Sequence, residues 1–139
     1  MASRRPIVIV IDDDPDLVEF IASIIEGENC RAIIATDGFS GLLLARECQA
    51  ALILCDYAMS GFDGGEVMQA LREDPAMADV PRVLMSGHGC PDLRTIPADA
   101  FIAKPIDTQS LRRLVRAFTR SQREETNTDP VGVVPLPWR

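Results

Sequence analysis

The stretch "IVIVIDDDPD", residues 7–16, joins five consecutive β-branched residues to a cluster of aspartates. A continuous apolar run of this length predicts a parallel strand covered on both faces, because a half-exposed strand would alternate with polar residues. Asp14 is placed to cap a helix and Pro15 suits its first turn, so a helix is expected to follow. Capping explains Asp14 but gives no reason for Asp12 and Asp13.

The alternation of strand and helix patterns continues over the next hundred residues. Apolar runs predict strands over 30–35, 51–55, 82–86 and 100–103, and apolar residues at helical spacing predict helices over 15–27, 38–49, 64–73 and about 111–118. Five strands alternating with four or five helices predict an α/β fold, a doubly wound parallel sheet with helices on both faces. Residues 87–99 contain two prolines and two glycines, so any helix there should be short or irregular.

Composition and charge exclude several classes of protein. The 139 residues are 47% hydrophobic and 25% charged, as in an ordinary globular domain, and the net charge of -7 argues against a dedicated nucleic-acid surface. Four cysteines without CxxC spacing argue against a zinc site or a disulfide framework and favour reduced thiols. The first apolar run is too short for a signal peptide or a membrane span, so we expect a cytoplasmic protein with no membrane contact.

One domain followed by a tail is expected. The last amphipathic helix ends near residue 120, and the polar "SQREETNTD" and the proline-spaced "PVGVVPLPWR" that follow carry neither a helix nor a strand pattern. We therefore expect a domain over 1–120 and a flexible C-terminal tail over 121–139. A docking peptide, a disordered terminus and the remnant of a linker are the three interpretations of the tail's apolar end.

Polar side chains cluster where the predicted strands end. Asp12 and Asp13 follow the first strand, Asp56 follows the third, Ser86 ends the fourth, and Lys104 follows the fifth. The carboxyl ends of parallel strands lie on one edge of a sheet, so these side chains should converge there. Carboxylate oxygens suit a hard cation such as Mg²⁺, beside which one carboxylate can attack phosphorus and form an acyl phosphate. Lys104 and Ser86 can then stabilise the phosphoryl oxygens.

Four motifs carry a resemblance to a known family. In order along residues 6–119 they are "IDDDPD", "CDYAMSGFDG", "LMSG" and "FIAKPI", and together they resemble the receiver domains of bacterial two-component response regulators, including the chemotaxis regulators. The resemblance implies a flavodoxin-like, five-stranded parallel sheet in the order 2-1-3-4-5. It also implies a phosphoprotein of signal transduction that receives its phosphoryl group from a histidine kinase or a histidine phosphotransfer protein. Such a domain is not a classical enzyme, although it promotes its own phosphorylation and dephosphorylation.

The resemblance assigns roles to the clustered residues. Asp56 would accept the phosphoryl group, and Lys104 and Ser86 would contact it. Mg²⁺, for which Mn²⁺ can substitute, would be bound by Asp12, Asp13, Asp56 and the backbone carbonyl of Ala58, with Asp12 acting largely through water.

Further positions would govern switching and the lifetime of the phosphate. Ser86 and Phe101 occupy the switch positions, where phosphorylation draws the hydroxyl toward the phosphoryl group and turns the aromatic ring into the vacated space. Ala58 and His88 occupy positions that tune the loss of phosphate. The simpler alternatives are that Phe101 is a core residue and that His88 is an exposed loop residue.

The chain also departs from the family pattern. Ser60 stands where many members have proline. Between Ser86 and Lys104 the chain is several residues shorter than the chemotaxis type, and the loss falls in the fourth helix, which normally belongs to the output face. The segment "PRVLMSGHG" partly resembles a group of stand-alone regulators, and similar short segments occur in receivers of hybrid kinases, so both types remain open.

Two other functions are compatible with the sequence. A pseudo-receiver would use the same fold as a phosphorylation-independent interaction module. A Mg²⁺-dependent phosphohydrolase of the haloacid dehalogenase type would use the Asp-x-Asp pattern of Asp12 and Asp14, but that family has Thr or Val at the position of Asp16 and a later acidic motif that "GHGCPD" fits poorly. Taken singly, each clustered residue is also explained by a helix cap or a solvated loop position.

Overall fold

The computed structural model of the protein describes the backbone of residues 5–126 and the side chains of residues 5–120. Five strands alternate with four helices along this part of the chain. The strands are β1 (Ile7–Ile11), β2 (Arg31–Ala35), β3 (Ala50–Asp56), β4 (Arg82–Ser86) and β5 (Ala100–Ala103), and the helices are α1 (Pro15–Gly27), α2 (Gly38–Glu47), α3 (Gly64–Glu73) and α4 (Thr108–Thr126). Every strand begins and ends within one residue of the bounds predicted from the apolar runs.

All five strands run parallel in one sheet. Their order is β2-β1-β3-β4-β5, which confirms the predicted doubly wound, flavodoxin-like topology. Helices α1 and α4 cover one face of the sheet, and α2 and α3 cover the other, so the hydrophobic core has two layers. The carboxyl ends of all five strands therefore meet at one edge, where the candidate site residues are expected.

Strand β1 supplies side chains to both core layers, which explains its unbroken apolar sequence. Val8 and Val10 pack with α1 and α4, whereas Ile9 and Ile11 pack with α2 and α3. All four residues are at most 1% exposed, and burying a side chain of this size contributes roughly 1.5–3 kcal/mol. A Cβ at Gly41 would come within 2.3 Å of Ile11 Cδ1, so a larger residue there would force the Ile11 side chain or α2 to move.

Helix α1 begins as the sequence predicts. The Asp14 carboxylate accepts hydrogen bonds from the N–H groups of Asp16 (3.1 Å) and Leu17 (3.3 Å), and Pro15 occupies the first helical position. A cap of this kind stabilises a helix by about 0.5–2 kcal/mol. The Asp14 carboxylate therefore serves as the N-terminal cap of α1 rather than as part of the cluster at the sheet edge.

Helix α4 extends further than the sequence pattern predicts. It ends at Thr126, so the domain boundary expected at residue 120 falls inside this helix, and the rest of the predicted tail lies outside the described residues. Residues 121–126 contain neither glycine nor proline and include several good helix formers, which explains the extension. None of the helices in the described part of the chain is long and apolar enough to cross a membrane.

The connection between β4 and β5 contains no helix. Residues 87–99 form bends and one turn at residues 93–95, in agreement with the irregular pattern of this segment. Ile96 and Ala98 pack against the core layer beneath α2 and α3. The segment therefore covers part of the sheet without the helix that the family resemblance leads one to expect there.

A buried arginine holds this helix-free connection in place. Arg82, the first residue of β4, is 7% exposed. Its guanidinium donates hydrogen bonds to the carbonyl oxygens of Pro97 (2.8 Å), Ala78 (3.3 Å) and Met77 (3.5 Å), and its backbone N–H donates to the Asp99 carboxylate (2.9 Å). Burial lowers the pKa of Arg82, and the charge of Asp99 opposes that effect. One side chain thus joins the loop before β4 to the loop before β5.

Replacing Arg82 with methionine should destabilise the domain. Methionine fills much of the same volume but leaves three carbonyl oxygens without this donor, and a buried unsatisfied group costs about 1–3 kcal/mol. We expect the free energy of unfolding, measured by urea denaturation, to fall by about 2–4 kcal/mol. Arg94→Met is the matched control, because the Arg94 side chain in the same connection is 91% exposed. Equal losses in the two variants would contradict the role given to Arg82.

Candidate functional site

Three carboxylates meet at the carboxyl edge of the sheet. Strands β1 and β3 are neighbours with Ile11 opposite Cys55, so Asp12 and Asp56, the next residue on each chain segment, lie side by side. Asp13 joins them, and one oxygen of each carboxylate lies within 4.8 Å of the others. Asp12 and Asp56 are buried, whereas Asp13 is exposed. The structure thus brings together the three acids that the strand ends predict.

Lys104 bridges the two buried acids. Its Nζ lies 2.8 Å from Asp12 Oδ2 and 2.9 Å from Asp56 Oδ1. The backbone N–H of Lys104 donates to the Ser86 carbonyl (2.9 Å), which fixes the lysine backbone beside the end of β4. The second oxygen of Asp12 accepts from the Asp14 N–H (3.0 Å), so the Asp12 carboxylate is held at both oxygens.

The site carries more negative than positive charge. Three carboxylates face one ammonium group, which leaves two negative charges in excess when all are ionised. Burial raises the pKa of Asp56, the hydrogen bond from Lys104 opposes this effect, and the charges of Asp12 and Asp13 add to it. Burial lowers the pKa of Lys104, but its hydrogen bonds to Asp12 and Asp56 outweigh the burial, so the net shift is upward. Burial thus leads the shift of Asp56, whereas the neighbouring acids lead the upward shift of Lys104.

The donor set fits a hard divalent cation. Mg²⁺ prefers oxygen ligands, and two oxygens on opposite sides of the ion lie about 4.2 Å apart. The oxygens of Asp12, Asp13 and Asp56 are spread over little more than that distance, so small rotations of the side chains suffice for shared coordination. Ala58, whose carbonyl is the further predicted ligand, lies exposed in the loop after Asp56, and its role as a ligand remains a prediction.

The backbone around Asp56 requires a glycine that sequence reasoning missed. The Tyr57 N–H donates to the Met85 carbonyl (2.8 Å), and the Gly64 N–H donates to the Tyr57 carbonyl (3.0 Å). A Cβ at Gly64 would lie 2.3 Å from the Asp56 carbonyl oxygen, so α3 can begin against β3 only with glycine at this position. The adjacent glycines of "FDGGEV" are the feature of the sequence that points to this close contact.

Ser86 lies at the same edge of the sheet and takes part in a local turn. It is 3% exposed at the end of β4, and its Oγ accepts a hydrogen bond from the His88 N–H (3.2 Å). His88 is exposed, as its simpler interpretation predicted. The hydroxyl of Ser86 is therefore linked to the start of the connection between β4 and β5.

Phe101 lies on β5 opposite Leu84 of β4 and is half-buried. Its neighbours along the strand, Ala100 and Ile102, pack into the core layer of α1 and α4. Because side chains alternate along a strand, Phe101 belongs to the other face, the one that the helix-free connection covers. This position is compatible with the predicted switch role, which remains a prediction.

The cysteine next to Asp56 does not take part in the site chemistry. Cys55, directly before Asp56, is buried in the core layer of α2 and α3. Burial raises the pKa of the Cys55 thiol well above its usual range, and the charges of Asp56 and Asp12 add to that effect. A thiol kept protonated in this way is a poor nucleophile and a poor metal ligand.

The chain matches a known family over most of its length. The family model described as "Response regulator receiver domain" matches residues 8–116. The DNA-binding dual master transcriptional regulator RpaA of Synechocystis sp. is 29% identical to it over 94% of the chain. The chain spans 59% of the length of that relative.

Solved structures of similar fold come from several bacteria. The receiver domain of Francisella response regulator 1452 has a TM-score of 0.76 and 24% identity, with 85% of this chain and 99% of that chain covered. The receiver domain of the sensor histidine kinase PA1611 of Pseudomonas aeruginosa, which has a magnesium ion coordinated in its active-site cleft, has a TM-score of 0.75 and 18% identity, with 82% and 97% covered. At these identities the likeness establishes the fold.

Asp56→Asn should stabilise the protein in the absence of divalent cations, and the gain should depend on pH. The raised pKa of Asp56 means that the native state binds this proton more tightly than the unfolded chain does. Its ionisation therefore reduces stability as the pH rises through the native pKa. We expect the variant to have the larger free energy of unfolding at neutral pH, and the gain to shrink below about pH 3.9, where both states hold the proton.

Thermal or urea unfolding at neutral and at acidic pH, with a chelator present, measures this difference. Asp16→Asn is the control, because Asp16 is an exposed acid in the first turn of α1. Its removal should change stability little or lower it slightly. A gain for Asp56→Asn that is independent of pH would contradict the explanation by charge excess.

Proposed function

The chain belongs to the response regulator receiver family, and on that basis we propose that it is the phosphoacceptor of a two-component phosphorelay in the cytoplasm. A histidine kinase or a histidine phosphotransfer protein would donate the phosphoryl group, and Asp56 would accept it. The observation that carries the proposal is the buried Asp56 carboxylate held by Lys104 beside Asp12 and Asp13. Burial together with a specific charged partner marks an acid as a candidate functional group, which supports a role of Asp56 in phosphoryl transfer.

The proposed reaction needs a nucleophile and compensation of charge. An oxygen of Asp56 attacks the phosphorus of the donor phosphohistidine, the new O–P bond forms as the N–P bond breaks, and the imidazole leaves. Lys104, whose Nζ is 2.9 Å from Asp56 Oδ1, orients the carboxylate and can follow the negative charge onto the phosphoryl oxygens. Ser86 can donate its hydroxyl proton to one of the same oxygens.

Asp12, Asp13 and Asp56 would hold Mg²⁺, or Mn²⁺ in its place, together with the carbonyl of Ala58. When bound, the cation supplies the positive charge that the site lacks and allows an anionic donor to approach three acids. The magnesium ion in the related PA1611 receiver domain supports this assignment. The chain's own contribution is to hold Asp12 at both oxygens and Asp56 at one, so that little reorganisation is needed.

The signal would leave the site through the connection between β4 and β5. If Ser86 moves toward a phosphoryl group, it pulls on its hydrogen bond with the His88 N–H at the start of that connection. Phe101, beneath the other end of the connection, would turn as space opens. His88 and Ala58 border the site and would tune the loss of phosphate. The downstream partner would then recognise the remodelled segment.

The alternative functions are less well supported. A haloacid dehalogenase-type phosphohydrolase needs both acids of its Asp-x-Asp pattern at the reacting centre, but Asp14 caps α1. A pseudo-receiver would have no need for an acidic triad with a lysine between its two buried acids, although the missing helix keeps this alternative testable.

Phosphorylation by a small donor tests the proposal directly. Incubation with acetyl phosphate and Mg²⁺ should give one phosphoryl group per chain by intact mass, sensitive to hydroxylamine as an acyl phosphate is. Asp56→Asn should abolish the modification and Lys104→Met should slow it by roughly 10²-fold, the scale of losing one electrostatic contact to the phosphoryl group. Asp16→Asn should behave like the wild type. Partner binding that is the same for the wild type and Asp56→Asn would favour the pseudo-receiver.

Added Mg²⁺ should stabilise the protein through the same acids. A ligand at a hundredfold excess over its Kd adds about 2.7 kcal/mol to the free energy of unfolding, which raises the melting temperature by several degrees. Asp13→Asn should lose most of this gain, because it removes one of the three carboxylates. Asp16→Asn should keep it. A stabilisation that survives in Asp13→Asn would place the bound cation elsewhere.

A further inference from the structure

The link from Lys104 to helix α4 is only three residues long, 105–107. On the sheet side the lysine backbone is fixed, because its N–H donates to the Ser86 carbonyl (2.9 Å). On the other side the link leads directly into the first turn of α4, which begins at Thr108. The position of the lysine side chain between the two buried acids of the site therefore depends on how the start of α4 is held.

The hydrophobic core holds α4 only from its second turn onward. Leu111 and Val115 are fully buried in the core layer of α1 and α4. Among residues 105–110, all of which the structure describes, only Ile106 packs against that layer, and it is only partly buried. Apolar packing alone therefore does not fix the link and the first turn of the helix.

An aspartate cap supplies the missing hold on this turn. The Asp107 carboxylate accepts hydrogen bonds from the Ser110 N–H (2.9 Å) and from the Ser110 hydroxyl (2.7 Å), and the Asp107 carbonyl accepts from the Leu111 N–H (3.0 Å). The ammonium group of Lys104 bonds to the two buried acids instead. An effect of Asp107 on the lysine is therefore transmitted by the backbone between them.

We propose that Asp107 is a positioning residue for Lys104, because its cap on α4 fixes the three-residue link and thereby keeps the ammonium group between the buried acids. The lysine side chain is a flexible four-carbon stem, so its end is well placed only when the backbone at its base is held. Loss of the cap displaces the ammonium group from Asp56 for part of the time. The effect on phosphoryl transfer rests on the proposed function, whereas the effect on the position of Lys104 does not.

Helix α2 carries the same kind of cap and offers a matched control. The Asp37 carboxylate accepts hydrogen bonds from the Ser40 N–H (2.8 Å) and hydroxyl (2.8 Å), and such bonds from a serine lower the pKa of Asp37 and of Asp107 alike. Both aspartates are exposed. Asp37 follows β2, however, and no candidate site residue lies between that strand and α2. Replacing either aspartate with alanine removes one charge and one cap, but only the change at Asp107 frees a link to Lys104.

Phosphorylation by acetyl phosphate with Mg²⁺ gives the first readout. Asp107→Ala should slow the reaction by roughly 10-fold, less than removal of the lysine does, because the ammonium group is displaced but still present. Asp37→Ala should change the rate by less than about twofold. Asp107→Asn should restore a rate near that of the wild type, since asparagine caps a helix as well as aspartate does. Equal rates for the two alanine variants, or no rescue by asparagine, would overturn the proposal.

A double-mutant cycle on stability gives a second readout, which needs no phosphoryl transfer. With a chelator present at neutral pH, Lys104→Met should raise the equilibrium constant of unfolding, because it leaves two buried acids without a cation between them. The factor of this increase should be smaller by about threefold or more in the Asp107→Ala protein, and the same as in the wild type in the Asp37→Ala protein. Equal factors in all three backgrounds would mean that the cap does not hold the lysine, and the proposal would be overturned.

The two readouts separate this proposal from the proposed function. A wild type that acetyl phosphate leaves unmodified would contradict the role of Asp56 as phosphoacceptor, and the cycle alone would then decide the role of Asp107. Circular dichroism checks that each variant keeps the fold, which the two buried core layers should maintain without either cap.

Discussion

The bridge that Lys104 makes between Asp12 and Asp56 is the interaction on which the sheet edge depends. Two buried carboxylates side by side repel each other, and each loses hydration, so this edge would be costly without a cation between them. The lysine ammonium lies within 2.9 Å of both acids and supplies that cation from the chain itself. One positive charge cannot balance three acids, however, so the folded sheet edge keeps an excess of negative charge. The same imbalance lowers stability and creates affinity for a divalent ion.

Parallel topology explains how residues distant in sequence come to share one pocket. Asp12 and Lys104 each follow a strand and Asp56 ends a third one, and none of the three would suggest a site in isolation. The sheet order places β1 beside β3, and β4 carries β5 close enough for the Lys104 backbone to bond to Ser86. Close packing then requires small residues at fixed points, of which Gly64 is the tightest. The geometry of the site thus depends on close backbone contacts at residues that have no functional side chain.

The features that the sequence predicts correctly are those that depend on residues close together in the chain. The apolar runs predict the five strands, and the preference of aspartate for helix caps predicts the role of Asp14. The ends of the predicted strands locate the three acids. The apolar pattern predicts that Arg82 begins β4, but such a pattern cannot indicate a charge buried among carbonyl oxygens. Lys104 was predicted as a contact of the phosphoryl group, whereas its bridge between two acids depends on the sheet order. The apolar pattern predicts an end of α4 near residue 120, whereas the helix continues to Thr126, because polar residues carry no apolar period even where they are helical.

The connection of residues 87–99 forms only one turn, in which the Thr95 and Ile96 N–H groups donate to the Asp92 carbonyl, and side chains fasten both of its ends. Arg82 ties its last residues to the loop before β4, and Ser86 ties its first residues to the sheet edge. A segment fastened in this way can open locally as one unit while the hydrogen bonds between the strands stay intact. The free energy of that opening is then set by a few contacts rather than by the whole core. The domain can therefore change shape on one side without unfolding as a whole.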